Sequence, residues 1–361
     1  MLQILINIIV FLLILTAIIT IHEFGHFITA KKFGVYCGAF SIGMGPKIFS
    51  HKGKETEFQI RAIPIGGFVT MAGEDDQEEN PYFENVPHER TLKGKKTYQK
   101  VIIFLAGIFM NFVLAIVIMF ALNTTVGMVA QKGNTLGTVV KDSAAEKYGL
   151  KAGDQVVEIV NTDTHKTYKI TKYNDITSAL VRKTKSKKSV VMKVTVKRDG
   201  KTKVCNVKAP VNTETGKYYL GVSPKTRKMS VREAFVSTFS MIGTMSVAIF
   251  RALEQLVINF TGTVKQMSGP VGIYNVTAQV TQSGDIANIF YLTALLSVNI
   301  GIFNLLPIPG LDGAQTLFAI IEGIIRRELP QRVKLILQAA GLSLILLLMV
   351  VVTYQDILKL M

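Results

Sequence analysis

Four stretches of the chain, Leu2–Ile21, Val101–Leu122, Ile286–Leu306 and Val333–Val352, stay apolar for close to the length of a bilayer crossing, which takes about 20 residues of α-helix. A soluble core rarely asks for four such runs. Lipid offers no partner to an unpaired backbone group, so the runs must be helical. The expected fold is a polytopic α-helical membrane protein with four transmembrane helices. The first run is not a removable secretory leader on this reading. It lacks a basic start and a small-residue cleavage site, and it leads straight into His22-Glu23-Phe24-Gly25-His26.

That pentapeptide carries chemistry. Residues four apart share one face of a helix, so His22 and His26 can hold one Zn²⁺ while Glu23 leans towards a metal-bound water. Bound zinc lowers the pKa of that water to around 7, and a glutamate can take its proton and return it to a leaving amine. Two histidines and a glutamate could instead merely pair within a helix. An ionisable trio at the end of an apolar run is costly to place in lipid, however, and is functional by default.

A catalytic zinc wants a third protein ligand and an open fourth position. His51, His88 and His165 lie in loops or the middle of the chain. Asp312, in Asn304-Leu-Leu-Pro-Ile-Pro-Gly-Leu-Asp-Gly313, is the better candidate, because Pro307, Pro309 and Gly310 must break the helix there. Irregular backbone at membrane depth is tolerated only where protein buries it or water reaches it. Asp312 could alternatively cap a helix starting near Gly313. Asn304, beside the break, is placed to hold substrate backbone or to orient Asp312. Asn111 and Asn299, inside apolar runs, read as bonds to neighbouring helices.

The formal charge of +16 invites a nucleic-acid reading, but its position argues otherwise. Between Gly127 and Lys228 stand 22 lysines and arginines against 8 aspartates and glutamates, so one soluble segment holds nearly all the excess. It has no aromatic-interleaved stretch, helix-turn-helix or zinc-finger pattern. No nucleic-acid partner is expected, and the basic surface is read as facing an anionic membrane or wall. Lys31 and Lys32, Lys93 to Lys100, and Arg326, Arg327, Arg332 and Lys334 flank the short connections. They put those connections in the cytoplasm and both termini and the middle domain outside it. Cys37 and Cys205 then lie on opposite sides and are read as free thiols.

The segments follow in order. Residues 1–33 hold the first span. Residues 34–100 form a short sheet beside the membrane, with strands at Ala39–Gly43, Glu57–Ile63 and Gly67–Met71, and then a surface loop. The second span is 101–123. A β-rich domain fills 127–225, with strands near Leu136, Gln155, Val190 and Lys203 and a helix at Tyr173–Arg182 capped by Asn174 or Asp175. Residues 231–284 give a surface-lying amphipathic helix and a linker. The third span is 285–313, and 314–361 hold a cytoplasmic connection and the fourth span.

At these residues the chain resembles the site-2 protease family of intramembrane zinc metalloproteases, over nearly its whole length. The nearer resemblance is to the bacterial branch that cleaves membrane-anchored anti-sigma factors and signal-peptide remnants. Besides the two metal-site motifs, Phe40–Pro46 and Ile63–Gly73 are similar to that branch's membrane-associated β-loop, Gly149–Asp154 to its PDZ domain, and Ser268–Ile273 to a segment before its third span. Ala314 and Ile108 stand where the family often has Gly and Pro. The resemblance implies Zn²⁺ held by His22, His26 and Asp312, with Glu23 as general base. It further implies that the β-loop around Gly66 and Gly67 receives an unwound substrate by strand addition, and that the chain sits in a bacterial plasma membrane with its active site near the cytoplasmic side. The substrates would be transmembrane proteins already cut once by another protease. A non-proteolytic PDZ scaffold and a zinc transporter are the rival readings. The first leaves the His-Glu-His trio unexplained, and the second wants ligands strung along a path.

Overall fold

In the computed structural model, the described residues are 2–360 apart from 75–81, 84–85, 132, 183–187, 213–215 and 265–266. The acidic part of the expected 73–100 loop, with Pro81, lies outside them. The chain divides into two units, Met1–Thr125 with Glu233–Met361, and Val126–Arg232.

The first unit starts with α1 (Leu2–Lys32), whose buried residues Ile14, Ile18, His22, Gly25, His26 and Ala30 recur every three to four positions and so form one face. Lys31 and Lys32 close its last turn, and Gly34, at φ +73°, lets Val35 N–H donate back to Ala30 O. Strands β1 (Cys37–Lys52) and β2 (Glu57–Met71) follow, and then α2 (Thr97–Thr125). The buried row Ile103, Gly107, Asn111, Ala115, Met119 and Asn123 runs at intervals of four along α2, which packs on α1 and on α8 (Ile286–Leu305). A Cβ on Gly25 would sit 2.4 Å from Ala106 O, so α1 and α2 cross as closely as backbones allow. Ile108 keeps α2 unbroken.

The glycines and prolines that suggested three short strands act as bends within two long ones. Gly43, Gly45 and Gly66 take positive φ. Residues 39–42 pair with 57–60 on one side and 67–70 on the other, and 47–52 pair with 57–61. The sheet is therefore four segments wide, with 67–71 on one edge. Its inner half is buried beneath α1, while Ile48, Phe49, Ile60, Ile63 and Ile65 at its far end are exposed. Burial pushes the Cys37 thiol up to about 12, and both cysteines are buried and free.

The second unit comprises β3 (Met128–Ala130), β4 (Leu136–Val139), α3 (Ala144–Lys147), β5 (Gln155–Asn161), β6 (Lys166–Lys169), α4 (Tyr173–Ala179), β7 (Ser189–Arg198), β8 (Lys201–Pro210), β9 (Val222–Pro224) and β10 (Thr226–Lys228). An antiparallel sheet of order β6-β5-β7-β8 is its centre, with β4 paired to β9 and β3 to β10. Val190, Met192, Val194 and Val196 alternate inward along β7, as do Cys205, Val207 and Ala209 along β8. Neither expected residue caps α4. Lys172 is its N-cap, and Asp175 acts from the third helical position, accepting from the N–H groups of Thr171 and Lys172. The turn Gly149–Asp154 ends in a buried carboxylate that accepts from Lys151 N–H and from Arg198.

The chain returns to the first unit through α5 (Val231–Ile258), α6 (Phe260–Val264) and α7 (Pro270–Gln282), and after α8 continues into α9 (Asp312–Ile325) and α10 (Gln331–Leu360). Five helices, α1, α2, α5, α8 and α10, are long and apolar enough to cross a membrane. The sequence reading counts four, taking α5 as a surface-lying helix for its polar content and its Gly243 and Arg251. One face of α5 nonetheless packs Ile242 and Met245 against α2 and α8. Asp356, buried on α10, accepts from Gly269 and Gly272 N–H at 2.8 and 2.7 Å. It thereby caps α7 from another helix, which gives the Ser268–Ile273 segment its structural purpose.

Arg198→Ala should destabilise the second unit by roughly 2–4 kcal/mol, since it strands a buried carboxylate. Burial pushes Asp154 up, but the Arg198 and Lys151 bonds outweigh it and hold the group below its ordinary range. The stabilisation is then present above the ordinary carboxylate value of about 3.9 and fades as pH falls through the lowered one. Alkylation of Cys205 at neutral pH, followed by mass spectrometry, should accelerate in Arg198→Ala, and pepsin digestion between about pH 2 and 4 should show the acid dependence in the wild type and its loss in the variant.

Candidate metal centre

Helix α1 delivers His22 and His26 one turn apart, both buried. The break after α8 delivers Asp312. Leu306 ends α8 with extended backbone, Gly310 takes φ +98°, and α9 opens with Leu311 as N-cap. Asp312 therefore is not the cap, and its carboxylate is turned to the histidines. Gly313 makes this possible, because a Cβ there would lie 2.3 Å from Leu305 O.

The three side chains converge. His22 Nε2 and His26 Nε2 are 3.2 Å apart, and Asp312 Oδ2 lies 2.9 and 3.3 Å from them. Four ligands about zinc at its usual N and O bond lengths stand roughly 3.3 Å from one another. Asp312 Oδ2 is buried and receives no hydrogen bond of normal geometry. The site therefore gathers three potential electron-pair donors at the spacing of metal ligands, which suits a cation. Among the described residues this is the one group of three His, Cys, Asp or Glu side chains gathered so closely.

Each histidine has a partner on its other nitrogen, and both partners belong to α2. His26 Nδ1 is 2.8 Å from Ile103 O. A carbonyl only accepts, so Nδ1 carries the proton and Nε2 is free to ligate. His22 Nδ1 is 3.2 Å from the side-chain amide of Asn111. Between them Gly107 leaves room, since a Cβ there would stand 2.3 Å from His26 Nε2 and 2.8 Å from His22 Nε2.

A cavity of about 330 Å³ opens beside the trio, lined by Glu23, His26, Asp312, Gln315, Phe104 and the edge residues Phe68–Met71, among others. Gly67 comes near it as well, where a Cβ would lie 3.6 Å from Glu23 Cγ. Gly66 sits at the bend just before, against Met44. Asn304, Pro307 and Pro309 occupy the end of α8 and the link to α9 and are not among the residues lining this cavity. Sequence reasoning missed Gln315, one turn beyond Asp312, and the part played by Gly107. It read Asn111 as a bond to a neighbouring helix without seeing that the neighbour is a candidate ligand. The signal was present: Ile103, Gly107 and Asn111 repeat the four-residue spacing of His22 and His26.

Comparison with known proteins follows this geometry. A sequence model described as peptidase family M50 matches residues 10–348. A protein of Clostridium perfringens is 34% identical over 352 residues, covering 96% of this chain and 97% of its own length. One of Fusobacterium nucleatum is 34% identical over 346 residues, covering 95% and 96%. One of Staphylococcus aureus is 31% identical over 442 aligned positions, covering 98% of each. All three carry the name "putative zinc metalloprotease".

Gly107→Ala should leave the protein folded but strip most of its zinc, because the added methyl enters the space of His26 Nε2. Metal analysis after purification at matched zinc would show it, and wild-type stoichiometry would mean that α2 can yield.

Proposed function

This chain belongs to peptidase family M50, the site-2 proteases, and from that membership we propose that it cleaves peptide bonds inside the transmembrane segments of other membrane proteins. It is a membrane metalloprotease with zinc as its cofactor. Anti-sigma factors or signal-peptide remnants are the proposed substrate class, with the first cut made by another protease. One observation carries the reading: His22, His26 and Asp312 converge beside Glu23 and next to the sheet edge 67–71, which pairs on its outer side with no strand among the described residues, all within the helical unit. A scaffold has no use for that convergence, and a transporter would want further ligands along a path.

The proposed ligands are the Nε2 atoms of His22 and His26 and a carboxylate oxygen of Asp312. When bound, zinc polarises the scissile carbonyl and acidifies water at its open position. Glu23, facing the same cavity, takes the water's proton and passes it to the leaving amine. A helical amide is screened and already hydrogen-bonded, so the substrate must unwind first. The edge 67–71 offers it a strand to pair with, and Gly67 keeps that approach clear of Glu23. The link Pro307–Gly310, with Asn304 beside it, gives the loosened substrate backbone a non-helical surface.

In the proposed topology α1, α2, α8 and α10 cross the bilayer, and α5 to α7 enter and leave on one side. Two contacts support this. Thr238 of α5 bonds Asn123 at the end of α2 that leads into the second unit, and α8 runs parallel to α1, with Leu292 and Leu296 against Ile14 and Ile18. The basic short connections face the cytoplasm, and the second unit, read as a PDZ-like domain, faces outward from a bacterial plasma membrane. The apolar far end of the β1–β2 sheet then dips into lipid.

Cleavage of a single-span reporter in detergent or liposomes, at equal zinc occupancy, should fall at least about 10²-fold in Glu23→Gln and stop with a chelator. Equal cleavage by both proteins would remove Glu23 from the mechanism and point to a contaminant.

A further inference from the structure

We propose that Asn111 is a positioning residue of the metal centre: its side-chain amide holds His22 in the tautomer and orientation that free Nε2 for the metal. The inference rests on the ligand set above. A metal-bound imidazole almost always donates its second N–H to a fixed acceptor, which locks the ring and raises its basicity. His26 has such an acceptor in the Ile103 carbonyl, at 2.8 Å. The matching position for His22 is occupied by the Asn111 amide, 3.2 Å from Nδ1, and the Asn111 side chain is fully buried.

The two ends of an amide are interchangeable by a half-turn that leaves the atom positions unaltered. With nitrogen towards His22, Nδ1 accepts and the ring proton sits on Nε2, where it blocks the metal. In that orientation Asn111 Oδ1 is also a buried acceptor without a partner. With oxygen towards His22, Nδ1–H donates to Oδ1 and Nε2 is bare. The second orientation is the one a loaded site requires, and the geometry permits it without moving a heavy atom.

Asn111 is itself held still. Ser297 Oγ on α8 donates to its backbone carbonyl at 2.8 Å, and Gly301 lets α8 approach until a Cβ there would lie 3.4 Å from Asn111 Cβ. Ile103, Gly107 and Asn111 stand four apart on α2, opposite the four-residue step from His26 to His22 on an antiparallel neighbour. One helix face thus supplies an acceptor for each histidine and, between them, the space for the metal.

The test is zinc affinity of the full-length protein in detergent, measured by competition with a chelator of known strength. Asn111→Leu, similar in size but without an acceptor, should weaken binding by about 10–100-fold, whereas Asn111→Asp, which keeps an acceptor, should stay within about threefold of wild type. Asn123→Leu removes another buried amide of α2, one that bonds Thr238 and not His22, and should also stay close to wild type. Wild-type affinity in Asn111→Leu, or an equal loss in Asn123→Leu, would overturn the proposal. If Asn111→Leu does not fold, cobalt-loaded Asn111→Asp decides: its d–d absorption should shift, because a carboxylate makes His22 a stronger donor, and an unchanged spectrum would count against the proposal. His26→Ala separates this inference from its premise. If it alone loses zinc, only the role of Asn111 fails; if it keeps zinc at wild-type affinity, the ligand set fails.

Discussion

Everything in the helical unit is arranged around the meeting of α1 and α2. Polar side chains in an apolar bundle are tolerated only when each finds a partner, and here two imidazoles, two carboxylates and an amide are brought within reach of one another. Gly25 and Gly107 allow it, one by bringing the backbones together and the other by leaving space where a methyl would strike both ring nitrogens. The remaining helices fasten this pair. Helix α8 lies along α2, and its broken end returns Asp312 to the histidines, with Gly313 seated against the last carbonyls of α8. The chemistry is thus decided by how closely backbones pack.

The β1–β2 sheet belongs to the same design. Its inner half is anchored under α1, and its edge 67–71 runs along the cavity that Glu23 faces. Strand edges are usually a liability that proteins cover or charge. Here one is left beside the candidate base, which fits a protease that must hold its substrate extended. The capping of α7 by Asp356 shows the same economy of polar groups: one buried carboxylate satisfies two backbone donors and ties the last long helix to the segment before α8.

Much of this could be read from residues. His22, Glu23 and His26 announced themselves by spacing at the end of an apolar run, and Asp312 by its place after a helix break that needed a reason. The middle unit showed its main strands by alternation. Other features were hidden because local signals mislead when tertiary contacts override them. Gly43, Gly45, Pro46 and Pro64 looked like chain reversals and proved to be bends in continuous strands. Asp175 looked like a cap and works from three positions inside.

The sequence by itself determined that the chain lives in a membrane and that a histidine pair with a glutamate stands at the end of its first long helix, because the length of an apolar run and the four-residue repeat of a helix are local properties. Only the tertiary structure decided that Asp312 reaches both histidines, which sheet edge borders the cavity and what Asn111 touches. Those depend on residues 77 to 290 positions apart meeting within about 3 Å, a juxtaposition that no spacing along one helix encodes.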